Sequence, residues 1–246
     1  MITLDILGCG EAFDPDRANS SVLIRADGFT LLIDCGMGVA QAVWQRSDDA
    51  DFIDTVYFTH LHVDHAGGFP ALLDHMASRG RTRPLRVIGP PDGAERIAHA
   101  IAFAAWPGDS LPFPVLVQSL ADAPRIGPFA ARYAQTDHSA TNHAIRLEAN
   151  GRSLFYSGDG RPTPASRALM HGADVAFHET QAISRDAPIE GHCDFDTVAV
   201  LQAAEKIGQM WLYHTGAGTE AAFAARLTTA SAALRFARAG LTVTLT

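Results

Sequence analysis

Thr59-His60-Leu61-His62-Val63-Asp64-His65-Ala66-Gly67-Gly68 is the stretch on which the reading of this chain turns. Four side chains able to hold a metal, His60, His62, Asp64 and His65, fall within six positions. A β-rich run at residues 55–58 precedes them and a helical pattern follows Gly67. A loop at the end of a strand carries its side chains into the crevice beyond the sheet. On extended backbone His60 and His62 point the same way. Asp64 and His65, at the turn into the helix, can face a second position. Neutral imidazole and carboxylate suit Zn²⁺, with Fe or Mn as alternatives. The plain rival is a His-rich surface loop, but scattered histidines rarely take this spacing with a Gly-Gly behind it.

Outward from that stretch, short apolar runs alternate with longer helical patterns. Strand-like runs lie at residues 2–7, 22–25, 30–33, 55–58, 85–88, 144–147, 153–157, 174–177, 210–213 and 241–245. Gly, Asp, Asn and Pro punctuate them, and Asn150-Gly151 is the strongest hairpin signal. Helical patterns follow Gly36, Gly67, Asp92, Pro164, Asp194 and Thr219. The last carries Phe223, Leu227, Ala230, Leu234 and Ala237 at helical spacing. Asp194 and Thr197 stand where an N-cap would start a helix. Residues 106–128 read as an irregular, Pro-rich loop, and no internal repeat at a fixed period is legible. The order suits an α/β fold of sheets covered by helices, and 246 residues suit a single domain spanning 1–246.

Composition narrows the partners. Hydrophobic residues make up 47% and charged residues 19%, which argues for a packed core and against disorder. No apolar run reaches the roughly 18–20 residues of a membrane span, and residues 1–5 lack the basic start of a secretory leader. The three cysteines, Cys9, Cys35 and Cys193, form no close pair, so a reducing, cytoplasmic setting is expected. Nineteen Lys and Arg against 27 Asp and Glu give a net charge of −8, which argues against nucleic acid as a partner. Arg79-Gly80-Arg81-Thr82-Arg83 is the densest basic run and reads as a solvated turn. A homodimer is left open.

Further candidates stand singly just after β-rich runs: His138 in Thr136-Asp137-His138-Ser139, Asp159 in Ser157-Gly158-Asp159-Gly160, and His214 after residues 210–213. Each alone has a bland reading, since a strand-end His is more often a satisfied polar residue and a Gly-Asp-Gly is usually a turn. Taken with His60-x-His62-x-Asp64-His65, they resemble the complete ligand series of the metallo-β-lactamase superfamily, and the likeness covers nearly the whole chain. The resemblance implies a four-layer αββα sandwich with metals at one edge. It implies that His60, His62 and His138 hold one divalent ion, that Asp64, His65 and His214 hold another, and that Asp159 bridges them. Asp34, closing Leu31-Leu32-Ile33, matches the acidic residue that supports the metal loop from behind.

Within the superfamily the motifs favour one branch. Leu7-Gly8-Cys9-Gly10-Glu11-Ala12-Phe13 resembles the Gly-x-Gly start of ribonuclease Z-like phosphodiesterases. Phe177-His178-Glu179-Thr180 resembles their His-Glu-Ala-Thr motif, and Gly191-His192-Cys193-Asp194 the segment carrying their further histidine. Gly89-Pro90-Pro91-Asp92-Gly93 fits the same branch, with phosphoribosyl cyclic phosphodiesterase nearest. There are departures. Only 21 positions separate His138 from Asp159, which leaves no room for the protruding RNA-binding arm. Asp14-Pro15-Asp16-Arg17 stands where the phosphonate enzyme carries cysteines.

The chemistry implied is hydrolysis of a small or cyclic phosphodiester. Two ions sharing a water lower its pKa and give hydroxide near neutral pH, while drawing charge from phosphoryl oxygens. Asp64 is placed to take its proton. His192 is the expected acid–base group for the departing oxygen, not a ligand, and Glu179 its orienting partner. Ser139, Asn142 and Arg161 are candidate phosphate contacts. His75, His99, His143 and His171 have no pattern behind them. The rivals are a lactonase, thioesterase or arylsulfatase of the same fold, a flavin-partnered di-iron oxidoreductase, and, from another class, a non-catalytic metal-bound sensor or scaffold. The His178-Glu179 and Gly191-His192 pair favours the phosphodiesterase over the other hydrolases.

Overall fold

The computed structural model describes residues 1–246. The first half runs β1 (Ile2–Gly8), β2 (Ser21–Ala26), β3 (Phe29–Ile33), α1 (Val39–Trp44), β4 (Thr55–Tyr57), α2 (Val63–Ala66), α3 (Phe69–Ser78), β5 (Leu85–Gly89), α4 (Ala94–Ala105) and β6 (Val115–Ser119). The second runs β7 (Arg125–Ile126), β8 (Phe129–Gln135), β9 (His143–Ala149), β10 (Arg152–Tyr156), α5 (Pro164–Met170), β11 (Val175–Glu179), α6 (Phe195–Ala204), β12 (Gln209–Tyr213), α7 (Glu220–Leu227) and β13 (Leu234–Phe236). A last strand, β14 (Thr242–Leu245), returns to the first half.

Strands apolar on both faces dictate the layering. In β3, Leu31 and Ile33 face the core between the sheets while Leu32 faces the helices outside. In β10, Leu154 and Tyr156 face inward and Phe155 outward. Such strands need cover on both sides, which is why they read as continuous apolar runs. Two seven-stranded sheets, ordered β14-β1-β2-β3-β4-β5-β6 and β13-β12-β11-β10-β9-β8-β7, therefore pack face to face. Helices α1, α3 and α4 cover one outer face, and α5, α6 and α7 the other. This is the four-layer αββα sandwich that the ligand motifs imply. No helix is long and apolar enough to cross a membrane.

Both sheets follow one plan. Strands up to β3 pair antiparallel and those from β3 to β6 parallel. Strands up to β10 pair antiparallel and those from β10 to β13 parallel. A parallel step needs a crossover, and helices supply it. The halves share the plan without a repeat in sequence. The plan places the ends of β3, β4, β5, β10, β11 and β12 along one rim, where the candidate residues lie.

Several local expectations hold. Asn150 and Gly151 both take positive φ, 54° and 71°, as the tight turn between β9 and β10 requires. The Asp194 side chain accepts from the Thr197 N–H at 2.9 Å and caps α6.

Others fail for identifiable reasons. Residues 106–128 contain β6 and β7; β6 is an edge strand whose Leu116 and Val117 are exposed, so burial gives it no legible period. β8 has no counterpart among the strand-like runs, because Ala is a weak strand former, yet Phe129 and Ala131 reach the inter-sheet core. The helical stripe after Thr219 stops at Leu227, and Leu234 instead pairs with Met210 in the parallel β13–β12 ladder. Arg81 is not solvated. It is 1% exposed and donates to the carbonyls of Arg83, Ala50 and Pro84, tying the loop before β5 to the one before β4.

Candidate metal centre

Strand ends assemble the site. β4 runs out at Tyr57 and delivers Thr59, His60 and His62, while Asp64 and His65 belong to the single turn of α2. The loop is locked by close backbone approach. A Cβ on Gly36 would meet the Asp64 carbonyl oxygen at 1.8 Å, and one on Gly68 the Gly36 carbonyl oxygen at 2.1 Å. The second Gly of the Gly-Gly pair is therefore demanded by the turn after β3. Asp34 and His214 both end strands in the left-handed region, with φ of 58° and 53°. Such conformations in non-glycine residues cluster where geometry is functional.

The side chains form four overlapping groups; two hold the expected donors, and two, His138-Asp159-His192 and Glu179-His192-His214, include His192. His60 Nε2, His62 Nδ1 and His138 Nε2 converge, with His62 Nδ1 3.1 Å from His60 Nε2 and 3.2 Å from His138 Nε2. Asp64, His65, Asp159 and His214 make the second group, and the ligand atoms within each group lie within 4.8 Å of one another. Asp159 stands between the groups: its Oδ1 is 3.4 Å from His65 Nε2, and its Oδ2 is 3.3 Å from His214 Nε2 and 3.9 Å from His60 Nε2.

The other ring nitrogens of His60, His65 and His138 are tied to the protein. His65 Nδ1 lies 2.8 Å from Asp34 Oδ2. Thr59 donates from its N–H and hydroxyl to the same carboxylate, and its Oγ1 lies 3.1 Å from His60 Nδ1. One buried aspartate thus orients His65 directly and His60 through Thr59. His138 Nδ1 donates to the Gly191 carbonyl at 2.9 Å. Such ties fix tautomer and ring orientation and are the usual support of histidine ligands.

Charge is tightly shared among these buried groups. Burial alone would push the Asp159 carboxyl up, but His214, His65 and His60 outweigh it and hold it well below the usual carboxylate range. Burial opposes charge on His65, yet Asp159 and Asp34 raise its pKa. Burial likewise opposes charge on His214, and Asp159 and Asp64 raise it. His60, desolvated and beside His65, is held neutral. His65 Nε2 and Asp159 Oδ1 are buried without a hydrogen-bond partner. Unpaired buried donors and acceptors are costly. Imidazole and carboxylate atoms orphaned at one point fit divalent ions of the Zn²⁺ type.

Beside the groups lies a second pair. His192 Nδ1 is 3.2 Å from Glu179 Oε1 and 4.0 Å from Asp159 Oδ2. Glu179 is fully buried and also accepts from the N–H groups of Gly160 and Cys193, each at 2.9 Å, and of Gln181 at 3.2 Å. His192 Nδ1 is thus tied to Glu179 while the imidazole keeps a partly exposed side.

The structure brings His60, His62, Asp64, His65, His138, Asp159, Glu179, His192 and His214 to one rim, with Asp34 behind them. The proposed phosphate contacts divide. Asn142 is buried, donates to Thr136 Oγ1 and the Ser157 carbonyl, and accepts from the Asp159 N–H, so it braces the Asp159 turn. Arg161 is engaged with main-chain carbonyls. Ser139 alone lines a cavity, of about 390 Å³, which reaches His62 and is walled by Pro90, Asp92, Arg96 and Thr141. His178 is buried with Nδ1 donating to the Glu179 carbonyl, so only Glu179 of that motif reaches the site. Thr59 and Arg17 were missed. Arg17 pairs with Asp14 and donates to Thr215 Oγ1 and to the Thr215 carbonyl, each at 2.8 Å, holding the turn after His214. Thr59, adjoining His60, was the more legible of the two.

Comparisons with known proteins agree with this geometry. Residues 2–241 match the family described as Anti-Pycsar protein Apyc1. A ribonuclease Z of Mycobacterium marinum is 35% identical over 205 residues, covering 72% of this chain and 70% of that protein. The metallo-beta-lactamase fold protein YhfI from Bacillus subtilis superposes with a TM-score of 0.85 at 18% identity, over 99% of this chain and 100% of that one. A diphosphatase from the PhnP family superposes with a TM-score of 0.80 at 18% identity, over 100% and 98%. At these identities the two structures establish the fold.

Proposed function

The chain belongs to the family described as Anti-Pycsar protein Apyc1, within the ribonuclease Z-like branch of the metallo-β-lactamase superfamily, and on that premise we propose that it hydrolyses a small or cyclic phosphodiester at a dinuclear metal centre. Membership makes it a metal-dependent hydrolase. The observation that carries the finer reading is the meeting of two donor groups at one carboxylate. His60, His62 and His138 would hold one ion, Asp64, His65 and His214 the other, and Asp159 both. Zinc suits the donors, with manganese or iron as alternatives. We take residues 1–246 as one hydrolase domain, because β14 from the end of the chain completes the sheet begun by β1.

Bound ions would supply a water of lowered pKa and positive charge for the phosphoryl oxygens. The remaining work falls to side chains. Asp64 Oδ2, 3.2 Å from His214 Nε2 and 3.3 Å from His65 Nε2, lies where it can accept a proton. His192 gives a proton to the departing oxygen, and Glu179 fixes its ring. The cavity beside His62 takes the arm of the substrate beyond the scissile bond; its size is that of a small-molecule site.

A small substrate is favoured by the segment between the two ligand loops. The chain from His143 to Tyr156 is spent on β9, a tight turn and β10, all within the second sheet. With a net charge of −8, affinity for RNA at physiological salt should be weak. The second reading, an RNase Z-like nuclease, rests on the named mycobacterial relative. Metal analysis of the purified protein, with 3′,5′-cyclic nucleotides, linear dinucleotides, precursor tRNA, a lactone, a sulfate ester and a thioester assayed in parallel, separates these. Two ions per chain and turnover of the small phosphodiesters are expected. Efficient trimming of precursor tRNA would select the second reading.

A further inference from the structure

The turn at residues 189–193 is gripped from three sides. Arg161 Nε donates to the His192 carbonyl at 3.1 Å, and its Nη2 to the Ile189 carbonyl at 3.4 Å. His138 Nδ1 donates to the Gly191 carbonyl at 2.9 Å. Glu179 Oε1 accepts from the Cys193 N–H at 2.9 Å and lies 3.2 Å from His192 Nδ1. Arg161 is itself anchored, since its N–H and carbonyl pair with the carbonyl and N–H of Asp137 at 2.9 and 3.0 Å. It lies two positions after Asp159 and is paired to the residue before His138. One residue thus joins the Asp159 turn, the His138 loop and the turn that carries His192.

We propose that Arg161 is a positioning residue that clamps the 189–193 turn and thereby sets the His192 imidazole for the departing oxygen. The proposal rests on the acid–base reading of His192 given above. The guanidinium is a rigid planar fork, and here it spans two carbonyls of one turn. Nε and one N–H of Nη2 are spent on the main chain. Gly191 takes a φ of 71°, so the turn is built on a position open to many conformations. Without the clamp, the His192 side chain keeps one tie, the 3.2 Å contact with Glu179. A misplacement of about 1 Å in a reacting group can cost roughly 10²-fold.

The test compares Arg161→Gln, Arg161→Lys, His192→Ala and the combination of Arg161→Gln with His192→Ala. Substrates are a phosphodiester with an alkoxide leaving group and one releasing nitrophenolate. Arg161→Gln should lower kcat by about 10–100-fold on the alkoxide substrate, with a smaller loss on the nitrophenyl one and little change in KM. Arg161→Lys should recover part of the loss. The combined variant should be no slower than His192→Ala alone, because both act through one ring. Hydrogen exchange of the metal-free protein gives an independent readout: amides of residues 189–193 should exchange faster in Arg161→Gln, with the strands unchanged. A raised KM with kcat kept, losses that multiply in the combined variant, or unchanged exchange would each overturn the clamp. Full turnover by His192→Ala would overturn the acid–base reading instead, and the exchange result tells the two failures apart.

Discussion

The two halves of the molecule share one strand plan and divide the site unequally. In the first half, one ten-residue stretch after β4 carries His60, His62, Asp64 and His65, and Asp34 at the end of β3 braces it. In the second, His138, Asp159, Glu179, His192 and His214 arrive one at a time from the ends or loops of β8, β10, β11 and β12. The carboxylates beyond the first parallel strand of each sheet are used differently. Asp34 directly follows β3, whereas Asp159 lies three residues beyond β10, where Ser157 holds the register position of Asp34. Asp34 spends its oxygens on Thr59 and His65, whereas Asp159 keeps Oδ1 without a partner. At the far rim the carboxylates do match in register: Asp54 accepts from the Thr30 N–H at 2.8 Å, and Asp174 from the Ser153 N–H at 2.7 Å. A shared scaffold can keep its far-rim carboxylates alike while, at the rim of the candidate site, one carboxylate serves as a brace and another stands as a ligand candidate.

The strongest way to break this contrast is Asp159→Ala. It should lower the content of both ions and reduce turnover beyond the roughly 10–100-fold that supporting residues command. Two tightly held ions in that variant, measured by metal analysis, would make Asp159 equivalent to Asp34 and erase the distinction. Next comes His192→Ala, expected to keep both ions and lose roughly 10²–10⁴-fold on an alkoxide leaving group, with a smaller loss on nitrophenolate. Lost metal would move His192 into the donor set. Asp34→Ala should cost roughly 10–100-fold in metal affinity, read by chelator competition. A larger loss than that of Asp159→Ala would reverse the assignment of brace and bridge.

The smallest effect lies far from the metals. Burial opposes charge on Asp174, but hydrogen bonds from Ser153 and the neighbouring Arg152 hold its pKa below the ordinary carboxylate value. A carboxyl whose pKa is lower folded than unfolded stabilises the fold above its unfolded value, about 3.9, and that contribution fades as pH falls through the folded value. Asp174→Asn should therefore lower Tm by a few degrees at neutral pH and by progressively less below about pH 4. A pH-independent difference would mean that the Ser153 contacts matter without the charge.

The same asymmetry decided what could be read in advance. The contiguous stretch of candidate ligands is legible because one strand end and one helical turn impose its spacing. His138, Asp159 and His214 gain meaning only together, since each alone is an ordinary strand-end residue. Glu179 and His192 are separated by 13 positions and meet through a turn that no local pattern announces. Strands with two apolar faces were legible from their runs. β6 was not, because Leu116 and Val117 are exposed at an edge, and β13 was not, because pairing with β12 overrode a helical spacing. Arg81 looked solvated because its partners are carbonyls, which leave no trace in a sequence.

The pairing of Ile2 with Leu245 joins opposite ends of the chain in one ladder. The sheet that carries the contiguous ligand stretch therefore cannot be completed until the other half has been synthesised and threaded past it. Contacts of such sequence separation close slowly. Until then β1 is an open edge offering Ile2 and Leu4 backbone groups to any passing strand, and such edges invite aggregation. Removal of residues 242–246 should leave that edge permanently open, with self-association appearing under conditions where the metal rim still folds.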